Sequence, residues 1–317
     1  HIVMMCGRTA CVRSSKEIAQ ACSYQTKTGS IVQPQWVNSS SCSYKPSYNK
    51  GPKSSSAVLL INCNYERVLQ PMQWGLVPSW HKGCPKTFAF NMINARLDTL
   101  TNKKSFMNIL QKGQRCIVLA DGFYEWQTIG TKKQPYYIHL KDDIKPQPDT
   151  EEKQMLTMAG LFDKHSSEEG EIYTYTIITV DASDTFKVLH DRMPAILNSP
   201  DAVDKWLDTT SVTWENALKL LLPLDCLQWY PVSTFVNNVR HDSSNCLKRI
   251  DENDGARKSR SCLLMHNWLK VSDTNSSSSN RVCDAPSVSS NKISDKTSEL
   301  STETHKPPSA VKGKISS

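Results

Sequence analysis

The sequence has no Cys-x-x-Cys pair, no apolar run near the roughly 20 residues that span a bilayer, and no basic-then-apolar leader at its start. Each absence excludes something. The 11 cysteines are odd in number and scattered, and Cys6 and Cys11 have no matching downstream pair. A zinc ribbon or finger is therefore excluded, and neither a metal nor another cofactor is expected. Without an apolar span, no membrane partner is expected. Without a leader, a reducing intracellular compartment is the expectation. Charge decides little: a formal net charge of +7 fits a polyanionic partner and plain solvation equally.

What is present sets a fold class. The 317 residues, 38% hydrophobic, accommodate one large domain with a tail. Ser14-Ser15-Lys16-Glu17 ahead of Ile18 and Ala19 predicts a short capped helix. Residues 23–56, rich in Ser, Pro, Asn and Lys, predict a long loop. Strand patterns follow at 57–61, 67–72, 115–119, 123–126, 135–140, 155–162 and 173–180, with Asp121-Gly122 reading as a turn. Residues 142–154 read as an exposed insertion. Ser199-Pro200-Asp201 opens a helix, Ser211 or Thr213 opens a second through Leu222, and 228–239 returns to strand. This order, without βαβ alternation, predicts an α+β fold with an antiparallel, barrel-like β core and peripheral helices. From Ser243 the composition turns polar. A disordered tail is expected over 243–317, relieved by a short helix at 263–269. Residues 1–4 read as a non-native or processed extension, which leaves 5–242 as the domain.

The start of that domain, Met5-Cys6-Gly7-Arg8, offers a specific chemistry. Once everything before it is removed, Cys6 carries an α-amine and a thiol on adjacent carbons. Their ordinary pKa values, about 7.7–8.0 and about 8.5, leave both reactive near neutrality. An aldehyde would form a Schiff base with the amine. The thiol would then close a five-membered thiazolidine, an intramolecular step. Chance placement of Met-Cys is the bland alternative.

Other polar groups lie among aromatics. Glu125, in Gly-Phe-Tyr-Glu-Trp, shares a strand face with Phe123, and Tyr124 and Trp126 take the other. It reads as an acid or base on an apolar-walled face, or as an exposed strand glutamate. His190 reads as a proton shuttle or a structural histidine. Asn94 reads as an orienting amide or a turn residue. Arg8, Arg96 and Arg192 suit phosphates. Trp74, Trp80, Phe90 and Trp126 suit stacking on unpaired bases, or core packing.

Six stretches in order, Met5–Arg8, Pro46–Asn49, Trp74–Trp80, Asn94–Arg96, Asp121–Trp126 and His190–Ile196, closely resemble the SOS-response-associated peptidase (SRAP) family. The resemblance spans residues 5 to 240. It implies single-stranded DNA, including its junction with duplex, as partner, and a suicidal crosslink to abasic sites. The ring-opened abasic sugar supplies the aldehyde. The family's catalytic positions fall on Cys6, Asn94, Glu125 and His190, and its DNA-contacting positions on Arg96 and Arg192, with Trp74, Trp80 and Phe90 shaping the kinked DNA. Action in the nucleus, at replication forks, is implied, and a monomer is the expectation. The replication sliding clamp is carried as a candidate partner, although 243–317 hold no convincing version of the clamp motif found in vertebrate relatives. Two other readings stand beside this one. They are a cysteine peptidase, self-processing or acting on other proteins, and a non-covalent reader of modified cytosine.

Overall fold

Short β-branched and aromatic runs make strand the main regular structure of the described residues. The computed structural model describes residues 7–26, 28–37, 42–88, 92–142 and 154–250. In order they form β1 (Thr9–Cys11), α1 (Ser15–Ala21), β2 (Tyr24–Gln25), β3 (Ile31–Val32), β4 (Gln35–Trp36), β5 (Ser47–Lys50), β6 (Ser55–Ile61), β7 (Arg67–Trp74) and β8 (Asn94–Arg96). Then come α2 (Leu97–Leu100), α3 (Lys104–Gln111), β9 (Arg115–Ala120), β10 (Gly122–Ile129), β11 (Lys132–Leu140), β12 (Leu156–Ser167) and β13 (Gly170–Asp181). The last elements are β14 (Arg192–Pro194), α4 (Pro200–Leu207), α5 (Trp214–Leu218) and β15 (Leu227–Pro231).

The larger sheet runs β14-β13-β12-β9-β6-β7-β4, and a further β7–β13 pairing closes β6, β7, β9, β12 and β13 into a ring. The expected α+β barrel is therefore present. Its closure is parallel, with Gln73 opposite Thr174 and Trp74 opposite Tyr175, while the other pairs in the ring are antiparallel. Closure removes the free edges. Both faces of its strands are buried: Met72, Met158, Tyr175 and Ile177 share one face and Leu59, Leu69, Ile117 and Leu161 the other, each at most 1% exposed. Outside it, Trp206 of α4 is fully buried and donates from Nε1 to the Cys116 carbonyl at 2.8 Å.

The second sheet, β15-β11-β10-β1-β5, is antiparallel throughout. Asp121-Gly122 is not a hairpin turn. It is the point where the chain leaves the barrel at β9 and enters the second sheet at β10. Asp121 is held there by accepting from the Val12 N–H at 2.7 Å and from Arg13 Nε at 2.8 Å. Gly122 is required by a close approach, because a Cβ would run into the Tyr137 ring and the Ile138 carbonyl.

Helix α1 forms as predicted. Ser14 caps it, receiving the Glu17 N–H at 3.3 Å and giving its own N–H to Glu17 Oε2 at 2.6 Å. Helix α4 starts at Pro200 with Ser199 as cap. Three predicted spans change. Residues 23–56 hold four short strands and the first residues of β6, which polar composition conceals. The second helix is only Trp214–Leu218, capped by Thr213. Strand β15 stops at Pro231, which cannot donate to a ladder, and a 3-10 turn follows at Thr234–Asn237. The packed chain also runs past 242. Cys246 is fully buried, Val232 bridges Arg249, and the Ile250 N–H bonds the Pro231 carbonyl at 3.1 Å. The insertion at 143–153, the helix at 263–269, the rest of the tail and the extension at 1–4 lie outside the described residues.

Candidate active site

The site is assembled where the two sheets meet. Strand β1 runs antiparallel to β10, with Thr9 opposite Phe123 and the Tyr124 N–H bonded to the Arg8 carbonyl at 3.0 Å. The register thus carries the start of β1 alongside Glu125. Cys6 and Phe90 themselves lie outside the described residues.

Glu125 is 4% exposed. Alternation along β10 holds: Phe123 belongs to the main core and Tyr124 to a second cluster with Ala10, Tyr137, Val232 and Val236. Residues 123, 125 and 127 share a face. Phe123 meets the Phe186 ring at 6.1 Å, and Gln127 Nε2 donates to the Val188 carbonyl at 2.8 Å. Both neighbours of Glu125 on its own face therefore touch the 3-10 turn Phe186–Val188, which leads directly into His190.

His190 is half-buried. Its Nδ1 accepts the Arg192 N–H at 3.0 Å and lies 2.7 Å from Asp191 Oδ1. The two contacts suit different protonation states. A neutral ring accepts at Nδ1, and a charged ring pairs with the carboxylate. Burial lowers its pKa, and Asp191 opposes that. We assign the neutral form near neutrality, with the proton on Nε2.

Strand β13 gathers the remaining groups. Strand β8 pairs along it in parallel, with Arg96 opposite Thr179, and β14 pairs antiparallel, with Arg192 opposite Asp181. Asn94 is half-buried and Arg96 exposed. Arg96 donates to Asp98 through Nε at 3.2 Å and Nη2 at 2.9 Å, which raises its own pKa and lowers that of Asp98. Arg192 departs from expectation. It is 6% exposed, and its Nη1 lies 2.7 Å from Asp181 and 3.2 Å from Asp98. Its Nη2 donates to the Thr179 carbonyl at 2.6 Å. A guanidinium so engaged fastens β14 to β13 and is not a free phosphate grip.

The aromatics divide as well. Trp74 is fully buried, stacked 6.3 Å from Tyr175, and its Nε1 donates to the Ile93 carbonyl at 3.0 Å. No base can reach it, so the surface-stacking expectation is corrected to core packing. Trp80 is 56% exposed. Its loop is pinned from below by β12. Asp163 accepts the Ser79 N–H at 2.7 Å, and buried His165 contacts the Pro78 and Gly83 carbonyls at 3.4 and 3.0 Å. Trp126 is half-buried under Arg8, whose guanidinium carbon sits 5.9 Å from the ring centroid. Arg8 itself bonds Asn49 Oδ1 at 2.8 Å and the carbonyls of Val236 and Asn237 at 2.9 and 3.1 Å. Its expected phosphate contact gives way to that scaffold role.

Four buried internal cysteines are poor nucleophiles. Burial pushes the thiols of Cys11 and Cys22 up to about 12 and that of Cys226 up to about 11, and Cys116 higher still. Asp98, Asp181 and Asn49 were missed by sequence reasoning. Asn49 stands inside a stretch already singled out and Asp98 two residues beyond one, but only their spatial partners give them roles.

The family model described as SOS response associated peptidase (SRAP) matches residues 5–239. The chain is 44% identical over 292 residues to the abasic site processing protein HMCES of Gallus gallus, covering 86% of each. It is 36% identical over 208 residues to the abasic site processing protein YoaM of Bacillus subtilis, covering 64% of this chain and 85% of the relative. A crystal structure of a protein from Bacteroides thetaiotaomicron superposes with a TM-score of 0.60 at 25% identity, covering 78% of this chain and all of that one. The chain therefore belongs to the SOS response associated peptidase (SRAP) family.

Proposed function

We propose that this protein processes abasic sites in single-stranded DNA by crosslinking itself to them through Cys6. The observation that carries the reading is the β1–β10 register, which brings the residue pair following Cys6 alongside buried Glu125. The relatives' names, abasic site processing proteins, support the substrate.

The chemistry balances without a cofactor. The α-amine of Cys6 adds to C1 of the ring-opened sugar, and water leaves as the Schiff base forms. The thiol then adds across the C=N bond, with its proton passing to nitrogen, and closes a thiazolidine. Glu125 moves protons at the carbinolamine and imine. Neutral His190 assists opening of the deoxyribose, and Asn94 holds the amine or sugar. Arg96 meets phosphate, and Trp80 stacks on an unpaired base, including at junctions with duplex. The adduct shields the lesion during replication-coupled repair, in the nucleus.

The peptidase reading has one supporting feature. The family description names a peptidase, and residues before Cys6 must be removed to free its amine. Self-maturation therefore accompanies the crosslinking. The test is Cys6→Ala on abasic single-stranded DNA. The adduct is expected to vanish while non-covalent binding persists. An adduct that survives the substitution sinks the proposal.

A further inference from the structure

The Pro46-Ser47-Tyr48-Asn49 motif takes no part in the chemistry above, yet its asparagine is 3% exposed and bonded at both ends. Asn49 Oδ1 accepts from Arg8 Nη1 at 2.8 Å. Its Nδ2 faces the carbonyls of Val236, Asn238 and His241 at 3.1, 3.1 and 2.9 Å. Arg8 reaches the same segment through Val236 and Asn237. Trp126, on the strand that carries Glu125, closes the bracket by donating from Nε1 to Asn237 Oδ1 at 2.7 Å.

Burial costs this arginine, since desolvation lowers its pKa. Among the described residues its hydrogen bonds go only to neutral oxygens. Such an arrangement fixes geometry rather than balancing charge. Arg8 follows Cys6 by two residues, at most about 7 Å of chain. Among the described residues the bracket thus anchors the chain two residues from Cys6, beside the Tyr124 N–H bond to the Arg8 carbonyl.

Resting on the proposed function, we infer that Asn49 is a positioning residue for the N-terminal nucleophile. Through Arg8 it holds the start of β1 in one orientation, so that the amine and thiol meet the sugar aldehyde on the Glu125 strand. Asn49 touches no DNA in this account. Its loss acts on the rate of reaction and spares binding.

The test compares wild type, Asn49→Ala and Arg8→Lys in the full chain, each checked for cooperative melting. Single-turnover adduct formation is measured at saturating abasic single-stranded DNA. Equilibrium binding is measured on the same oligonucleotide with a tetrahydrofuran abasic analogue, which has no aldehyde. The expected result is a rate constant lowered roughly tenfold or more in both variants, with analogue affinity within about twofold of wild type. If Asn49→Ala does not fold, Arg8→Lys carries the test, because lysine keeps the charge and loses the two-armed geometry. A wild-type rate constant in a folded variant overturns the inference. So does a loss of analogue affinity that matches the loss of rate, which would make Arg8 a phosphate contact. A wild-type protein that forms no adduct is a separate result and overturns the proposed function itself.

Discussion

Asp98 binds Arg96 at two points, Nε at 3.2 Å and Nη2 at 2.9 Å. These are the same two donors a phosphate would take. The carboxylate and a DNA phosphate therefore compete for one arginine edge. Exposed ion pairs are worth about 0.2–1 kcal/mol. Asp98→Asn is expected to tighten binding to single-stranded DNA by up to about fivefold. Arg96→Ala is expected to weaken it across sequences and reduce the salt slope by about one. Fluorescence anisotropy over a salt series measures both, and an unchanged slope in Arg96→Ala contradicts the phosphate assignment.

Arg192 behaves differently because it is buried and already occupied. Arg192→Ala strips the Thr179 carbonyl of its partner and unfastens β14 from β13. The expected effect is a stability loss of about 1–3 kcal/mol, read by denaturant melts. A variant that binds DNA poorly at unchanged stability would return Arg192 to the DNA surface.

The two tryptophans separate in the same manner. Trp80→Ala should leave the melting temperature unchanged and weaken single-strand binding by about 1–3 kcal/mol. Trp74→Ala should cost about 3–5 kcal/mol of folding stability, because it empties a fully buried site. Thermal melts and binding isotherms on both variants check this, and equal effects from the two would contradict it.

His190 gives a pH dependence. Its folded pKa lies below the ordinary 6.5, so the unfolded chain takes up the proton first. The stability it contributes is complete above about pH 6.5 and is lost as pH falls through the folded value. The neutral ring, and with it the adduct rate, should persist to the same lower pH. Asp191 pulls the pKa upward, so Asp191→Asn should move the acid limb further down. NMR titration of the imidazole beside the rate profile measures this, and a midpoint at or above 6.5 contradicts it.

Much of this architecture is legible in the residues. The Ser14–Glu17 capping box, the β-branched barrel strands and the alternation through Phe123, Tyr124 and Glu125 follow from local rules. What is not local is not legible. Trp74 and Trp80 sit six residues apart in one aromatic stretch, and only the parallel β7–β13 closure decides which is core. Arg8 and Arg192 look like phosphate ligands because sequence does not reveal the carbonyls and carboxylates that claim them. The extension through Ile250 hides in a polar composition because one buried cysteine, Cys246, anchors it.

Intact mass spectrometry tests the central claim most directly. The native protein is incubated with abasic single-stranded DNA and denatured without borohydride. The account predicts a protein mass beginning at Cys6 and a surviving adduct equal to protein plus DNA minus one water. A Schiff base alone would hydrolyse under these conditions. A protein that begins at Cys6 yet yields no surviving adduct, or one that keeps residues ahead of Cys6 and yields the same adduct, would contradict it.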